Sequence, residues 1–90
     1  MHIEVTKNPS PELLEQLGYS SWSIWAKEPS TFTWHYGEKE TCLLLEGKVT
    51  VTPEGGVPIT FGKGDLVVFP QGMSCTWHVQ EAVRKHYKFE

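Results

Sequence analysis

The chain has 90 residues, of which 39% are hydrophobic, and a formal net charge of −3 at pH 7. This length predicts a single domain over residues 1–90, and the acidic balance argues against a nucleic-acid partner, whose binding depends on neutralising phosphates. No apolar run approaches the roughly 20 residues of a membrane helix and the start has no signal-peptide pattern, so we expect a cytoplasmic protein without a membrane partner.

A short helix is predicted near the N-terminus, where Ser10 can cap the helix, Pro11 suits its first turn and Gly18 can end it. After Tyr19, short segments rich in β-branched and aromatic residues alternate with turn formers, which is typical of an all-β sandwich or barrel. We predict strands near residues 3–6, 23–28, 32–36, 41–45, 48–52, 58–61, 66–69, 74–79 and 83–89.

Two stretches of the chain place glycine and proline between predicted strands. The first reads T-W-H-Y-G-E-K-E-T-C-L-L-L-E-G from residue 33 to 47, and the second reads G-D-L-V-V-F-P-Q-G-M-S-C from residue 64 to 75. Gly47 is predicted to form a turn between two strands, because a positive φ is cheap only for glycine. Pro70 and Gly72 are predicted to form a second turn in the same way.

Together these stretches resemble the paired motifs of the cupin superfamily, small β-barrels that usually hold a metal or a small molecule. The first motif reads His, any residue, His, four residues, Glu, six residues, Gly; the second reads Gly, five residues, Pro, any residue, Gly, two residues, His, three residues, Asn. At these positions the chain has Thr33, His35, Glu40 and Gly47, then Gly64, Pro70, Gly72, Cys75 and Val79. The resemblance implies a double-stranded β-helix, the cupin jelly-roll barrel, with one short N-terminal helix.

Side-chain alternation along the strands then predicts which residues share a face. Residues 33 and 35 share one face, residues 40, 42 and 44 a second, and residues 75, 77 and 79 a third. In a cupin barrel all three faces would line the interior. We therefore predict that His35, Glu40 and Cys75 converge at one enclosed point.

A narrower resemblance is to small single-domain cupins grouped with (S)-ureidoglycine aminohydrolase, a manganese-dependent enzyme that releases ammonia. It is carried by E-T-C-L-L-L-E-G-K-V, by the second motif stretch and by the ending R-K-H-Y-K-F. It implies a hydrolase in which a divalent metal lowers the pKa of bound water and the hydroxide attacks a carbon bearing nitrogen.

His35, Glu40 and Cys75 are the candidate metal ligands and the candidate catalytic residues. One imidazole, one carboxylate and one thiolate suit zinc, iron or nickel better than manganese. The alternative is that no metal binds, and that these side chains form local hydrogen bonds or pack in the core. In a second catalytic interpretation Cys75 is a nucleophile, His35 its base and Glu40 the group that orients the imidazole; the two cysteines lack C-x-x-C spacing and are expected to be reduced thiols.

A third interpretation is a pocket for a small polar molecule. Its lining would combine apolar wall with a few directed polar groups, and the candidate ligand-binding residues are Thr33, Cys42, Leu44, Trp77 and Val79. The sequence thus leaves open a ligand-binding cupin, a metal-dependent hydrolase and a non-catalytic binding or structural cupin with a degenerate metal site.

Two further groups of residues concern surfaces rather than the barrel interior. A homodimer is predicted because cupins commonly associate through sheet faces, and the residues that could face a partner subunit or the helix are Trp34, Tyr36, Leu43 and Leu45. Near the C-terminus, a solvated strand edge that blocks aggregation is the simplest interpretation of the basic cluster Arg84, Lys85, His86 and Lys88.

Overall fold

The computed structural model describes residues 2–90. Within them the chain forms one α-helix, α1 (Pro11–Leu17), a 3₁₀ turn (Tyr19–Ser21) and the strands β1 (Glu4–Thr6), β2 (Ser23–Lys27), β3 (Ser30–His35), β4 (Glu40–Pro53), β5 (Ile59–Gly62), β6 (Leu66–Phe69) and β7 (Ser74–Phe89). The prediction of an all-β architecture with one short N-terminal helix is confirmed.

Helix α1 begins and ends where the sequence predicts. The Ser10 hydroxyl oxygen accepts a hydrogen bond from the backbone N–H of Leu13 at 3.1 Å, and Pro11 stands in the first turn. Gly18 ends the helix in the left-handed conformation at φ 65°, which glycine adopts without steric cost. No residue of the helix is buried, so the core lies within the strands.

Two long antiparallel strands, β4 and β7, organise the sheet. It runs in the order β1-β6-β4-β7-β2, with β3 added to β7 and β5 added to β4. The first half of β4 pairs with β6 and the second half with β5, while β7 pairs with β3 through its first half and with β2 through its second. The same two strands therefore belong to both walls of the barrel.

The four separate strands predicted for these two segments are in fact two continuous strands. The turn predicted at Gly47 is wrong: Gly47 lies inside β4, where the pairing with β7 shifts register between Leu44 and Val49. A Cβ on Gly47 would lie 2.5 Å from the carbonyl oxygen of Ala82, and its φ is 100°. Glycine is required here because β7 approaches the backbone closely at a bulge, where the strand bends from one wall to the other.

The core of the barrel is apolar and rich in aromatic rings. The largest fully buried side chains include Trp77, Tyr36, Phe61 and Phe69. Tyr36 stacks on Phe69 at a centroid distance of 4.7 Å, and Trp77 lies 5.6 Å from Phe69. Such rings fill the interior of the barrel.

Candidate functional site

The face of β3 that points into the barrel is the opposite of the one that was predicted to do so. Its register with β7 pairs Trp34 with Cys75 and His35 with Ser74. Paired residues of antiparallel strands lie on the same face, and Cys75 is buried in the core, so Trp34 points inward and His35 outward. Thr33, which pairs with Thr76, shares the outer face with His35.

The prediction that His35 converges with Glu40 and Cys75 is therefore wrong. His35 is exposed, and its Nδ1 forms a hydrogen bond of 2.8 Å with the hydroxyl of Ser74 on the outside of the sheet. The physical reason lies in the alternating aromatic residues Phe32, Trp34 and Tyr36, which form the apolar face of this segment. Burying that face sends the polar residues between them to solvent.

Glu40 does lie in the interior, and its partner there is Lys85. The Lys85 Nζ donates a hydrogen bond of 2.6 Å to Glu40 Oε2, with Glu40 only 4% exposed and Lys85 only 5%. Lys85 pairs with Leu44 in the strand register, so its side chain reaches along β4 to the carboxylate at the start of that strand. The attraction within such a buried pair offsets part of the cost of removing both charges from water.

Four aromatic rings surround the ammonium group of Lys85. Its Nζ lies 4.6 Å from the ring centre of Trp77, 4.9 Å from that of Trp25, 5.8 Å from that of Phe69 and 5.9 Å from that of Tyr87. The negative faces of aromatic rings attract a cation at these distances. The rings and the carboxylate together hold the positive charge of Lys85 inside the protein.

Lys85 was predicted to belong to a solvated basic cluster, and this prediction is wrong because Lys85 is buried. The signal that could have placed it is period-two alternation, since Val83, Lys85 and Tyr87 occupy one face of β7 while Arg84 and His86 occupy the other. Val83 is buried and Arg84 exposed. The alternation along β7 could therefore have predicted that the Lys85 side chain points inward.

Both thiols of the chain also lie inside the barrel. Burial raises the pKa of Cys42 from 9.0 to about 12, with Lys85 opposing the rise and Glu40 adding to it. Burial likewise raises the pKa of Cys75 to about 11, against the lowering effect of the nearby indole N–H of Trp77. Both thiols are therefore protonated near neutral pH, and a Cys75 thiolate activated by His35 is not supported by this geometry.

Tyr36 completes the polar groups near this point. The Trp77 Nε1–H donates a hydrogen bond of 3.1 Å to the Tyr36 hydroxyl oxygen, and both side chains are almost fully buried. Burial, reinforced by the nearby negative charge of Glu40, raises the pKa of Tyr36 above its ordinary range. Its hydroxyl group is thus a neutral hydrogen-bonding group at physiological pH.

A pocket of about 490 Å³ opens directly above Lys85. We call it the aromatic pocket, and its lining consists of Trp25, Ala26, Lys27, Phe32, Thr33, Trp34, Tyr36, Trp77, Lys85, Tyr87 and Phe89. Of the five residues predicted to bind a ligand, Thr33 and Trp77 belong to this lining, although the strand register puts the Thr33 side chain on the outer face of β3. Cys42, Leu44 and Val79 instead pack in the hydrophobic core.

The residues at this point do not fit a divalent metal. Within residues 2–90, no three side chains of His, Cys, Asp or Glu are grouped so that they could hold an ion. The Glu40 carboxylate is already bonded to an ammonium group, whose positive charge would repel a cation beside it.

Long strands shared by two walls around an enclosed core define the class of cupin jelly-roll barrels. The chain belongs to the EutQ-like cupin domain family, whose match spans residues 14–87. The predicted fold class and the resemblance to the cupin superfamily are thereby confirmed.

Solved structures show the same fold. A DUF861 family protein from Thermotoga maritima has a TM-score of 0.96 at 48% sequence identity, over 99% of this chain and 100% of that one. A putative ethanolamine utilization protein Q from Salmonella typhimurium has a TM-score of 0.65 at 26% identity, over 97% of this chain and 68% of that one. None of the curated proteins matches the chain significantly. In the part of the chain that the structure describes, no helix is long and apolar enough to cross a membrane.

Proposed function

We propose that this cupin domain binds a small polar molecule in the aromatic pocket, above the ion pair of Glu40 and Lys85. The observation that carries the proposal is a charged side chain, Lys85, placed at the buried base of an open pocket. Replacing a buried ion pair by apolar residues is often neutral or stabilising, so the fold alone does not require these charges. A charged side chain that faces a pocket with apolar walls is typical of the few directed polar groups in a small-molecule site.

The walls of the pocket support the same function. Rings from β2, β3 and β7 supply apolar surface, while Lys85 at the base and Lys27 on the rim supply directed polar groups. A volume of about 490 Å³ lies within the range of sites for small molecules. Trp34 is 48% exposed at the mouth and would gain cover from a bound molecule.

The more specific prediction from the sequence is a hydrolase similar to (S)-ureidoglycine aminohydrolase. Its metal-dependent form receives little support from the donor set, because Lys85 occupies the carboxylate that a metal would need. Binding without metal chemistry is therefore the form of the proposal that we favour. In this form the fixed ammonium group of Lys85 supplies the positive charge at the base of the barrel.

A fragment titration followed by NMR tests the proposed function. Ligands that enter the aromatic pocket should shift the indole N–H signals of Trp25, Trp34 and Trp77, since all three side chains line it. The variant Trp34→Ala should weaken binding several-fold by removing wall at the mouth. Ile24→Ala is the matched control, because Ile24 is also 50% exposed and apolar but lies on the outer face of β2.

A clear result would contradict the proposal. If fragments that bind leave the three indole signals unmoved, or if Trp34→Ala and Ile24→Ala weaken binding equally, the aromatic pocket is not the binding site.

A further inference from the structure

The charges around the aromatic pocket have one sign. Its lining contains two lysines, Lys27 and Lys85, and no aspartate or glutamate, although the whole chain carries a net charge of −3. Glu40 is not part of the lining and lies behind Lys85. A molecule that enters the pocket therefore meets the ammonium group before it meets the carboxylate.

We propose that the ligand of the aromatic pocket is a small organic anion, whose anionic group contacts Lys85 and whose carbon skeleton packs against the rings of the pocket wall. The inference rests on the proposed function and narrows it to one chemical class. A carboxylate at the end of a short apolar or aromatic skeleton fits both the ammonium group of Lys85 and the rings of the pocket wall.

The hydrogen-bonding capacity of Lys85 supports this class. An ammonium group has three N–H donors, and within residues 2–90 the carboxylate of Glu40 is its one hydrogen-bond acceptor. Its other neighbours include the ring faces of Trp77 and Trp25, at 4.6 Å and 4.9 Å. A hydrogen bond to an anionic oxygen is stronger than a contact with a ring face, so the ammonium group retains capacity for such a ligand.

Lys27 supports it independently from the rim. Its Nζ lies 5.5 Å from the ring centre of Phe32, and both residues belong to the pocket lining. A positive charge at the entrance of an apolar cleft raises the local concentration of anions and lowers that of cations. A cationic ligand would meet the ammonium group of Lys27 at the entrance and that of Lys85 at the base.

Matched probes separate charge from shape. We would titrate benzoate, benzamide and benzylammonium, and then pentanoate, pentanamide and pentylammonium, and follow tryptophan fluorescence and indole N–H shifts. In at least one series the anion should bind about tenfold more tightly than the amide, and the ammonium compound should bind most weakly. Inorganic phosphate should not displace the bound anion, since it has no carbon skeleton to fill the apolar walls.

Each outcome decides between the two proposals. Equal binding of anion and amide, or tighter binding of the ammonium compound, would overturn the anion assignment and leave a binding pocket. Displacement by inorganic phosphate would overturn the requirement for an organic skeleton. Binding by none of the six probes would overturn both proposals.

Two variants test the lysines themselves. Lys27→Gln should weaken anion binding several-fold and leave amide binding unchanged, and Lys48→Gln is the control because Lys48 is an exposed lysine outside the pocket lining. The double variant Glu40→Met, Lys85→Met removes both buried charges with little change in volume. It should retain amide binding and lose the preference for the anion; a preference that survives in this variant would contradict the role of Lys85.

Discussion

Lys85 Nζ lies 2.6 Å from Glu40 Oε2, in an interior where both side chains are almost completely buried. The two residues are 45 positions apart in the chain and lie on the two long strands that build both walls of the barrel. This pair is the only salt bridge within residues 2–90 in which both side chains are buried. Its energetics lead to the first prediction.

Lys85→Met should lower the free energy of unfolding by about 3–5 kcal/mol, because it leaves the buried carboxylate of Glu40 without its partner. Glu40→Met, Lys85→Met should be much less destabilised, since it removes both charges and keeps apolar side chains of similar length. Urea denaturation of the wild type and the variants measures both effects. If the double variant loses as much stability as the sum of the losses in Lys85→Met and in Glu40→Met, the residues do not act as a pair.

Alkylation provides a second prediction, on the two thiols. Cys42 and Cys75 are buried and keep their protons well above neutral pH, so both should resist iodoacetamide at pH 8 in the native protein. Both should react at ordinary rates once the protein is unfolded in urea. Mass spectrometry of the quenched reaction counts the modified thiols. Rapid native labelling of Cys75 would restore it as a candidate nucleophile.

The same shifts predict how stability depends on pH in the alkaline range. A thiol whose pKa is raised on folding binds its proton more tightly in the native state, so its contribution is complete below pH 9 and declines towards pH 11 to 12. The free energy of unfolding should therefore fall as pH rises from 9 to 10. In Cys42→Ala, Cys75→Ala the fall should be shallower. An equal slope in this variant would show that other groups cause the dependence.

The sequence predicted the backbone of this protein better than the directions of its side chains. The limits of α1 follow from local capping by Ser10 and Gly18, which needs no tertiary information. The inward or outward direction of His35 depends instead on the phase of β3 relative to β7, and a change of one residue exchanges the two faces. Motif spacing placed His35 inside, whereas the hydrophobicity of its neighbours places it outside.

The ion pair was harder to predict for a different reason. Glu40 was selected by its position in the motif, but its partner Lys85 comes from the far end of the chain. Among basic neighbours such as Arg84 and His86, the composition of the segment indicated solvent exposure. Only the combination of alternation with the apolar residue Val83 distinguishes Lys85, and pairing over such separations is set by the register of β4 with β7.

Gly47 supports a prediction on the bend between the two walls. Gly47→Ala should lower the free energy of unfolding by about 2–4 kcal/mol, because the new Cβ would be 2.5 Å from the Ala82 carbonyl oxygen and φ is 100°. Gly37→Ala is the control, since a Cβ at that position meets nothing within 4 Å and its φ is not in the left-handed region. Thermal unfolding compares the two. Equal stability of the two variants would contradict the close approach of β7 at the bulge.

Metal content provides the last prediction, and it separates the hydrolase form of the function from binding alone. Protein purified without a metal-affinity tag should contain far less than one equivalent of zinc, iron, nickel or manganese, because the Lys85 ammonium group already neutralises Glu40 and His35 lies on the outer face. Zinc added to the apo protein should leave the midpoint of thermal unfolding unchanged. The substitution His35→Ala should also leave this midpoint unchanged. Elemental analysis and thermal unfolding make the measurement. Near-stoichiometric metal that disappears in His35→Ala, Glu40→Ala would require both side chains to meet, and hence a register of β3 shifted by one residue.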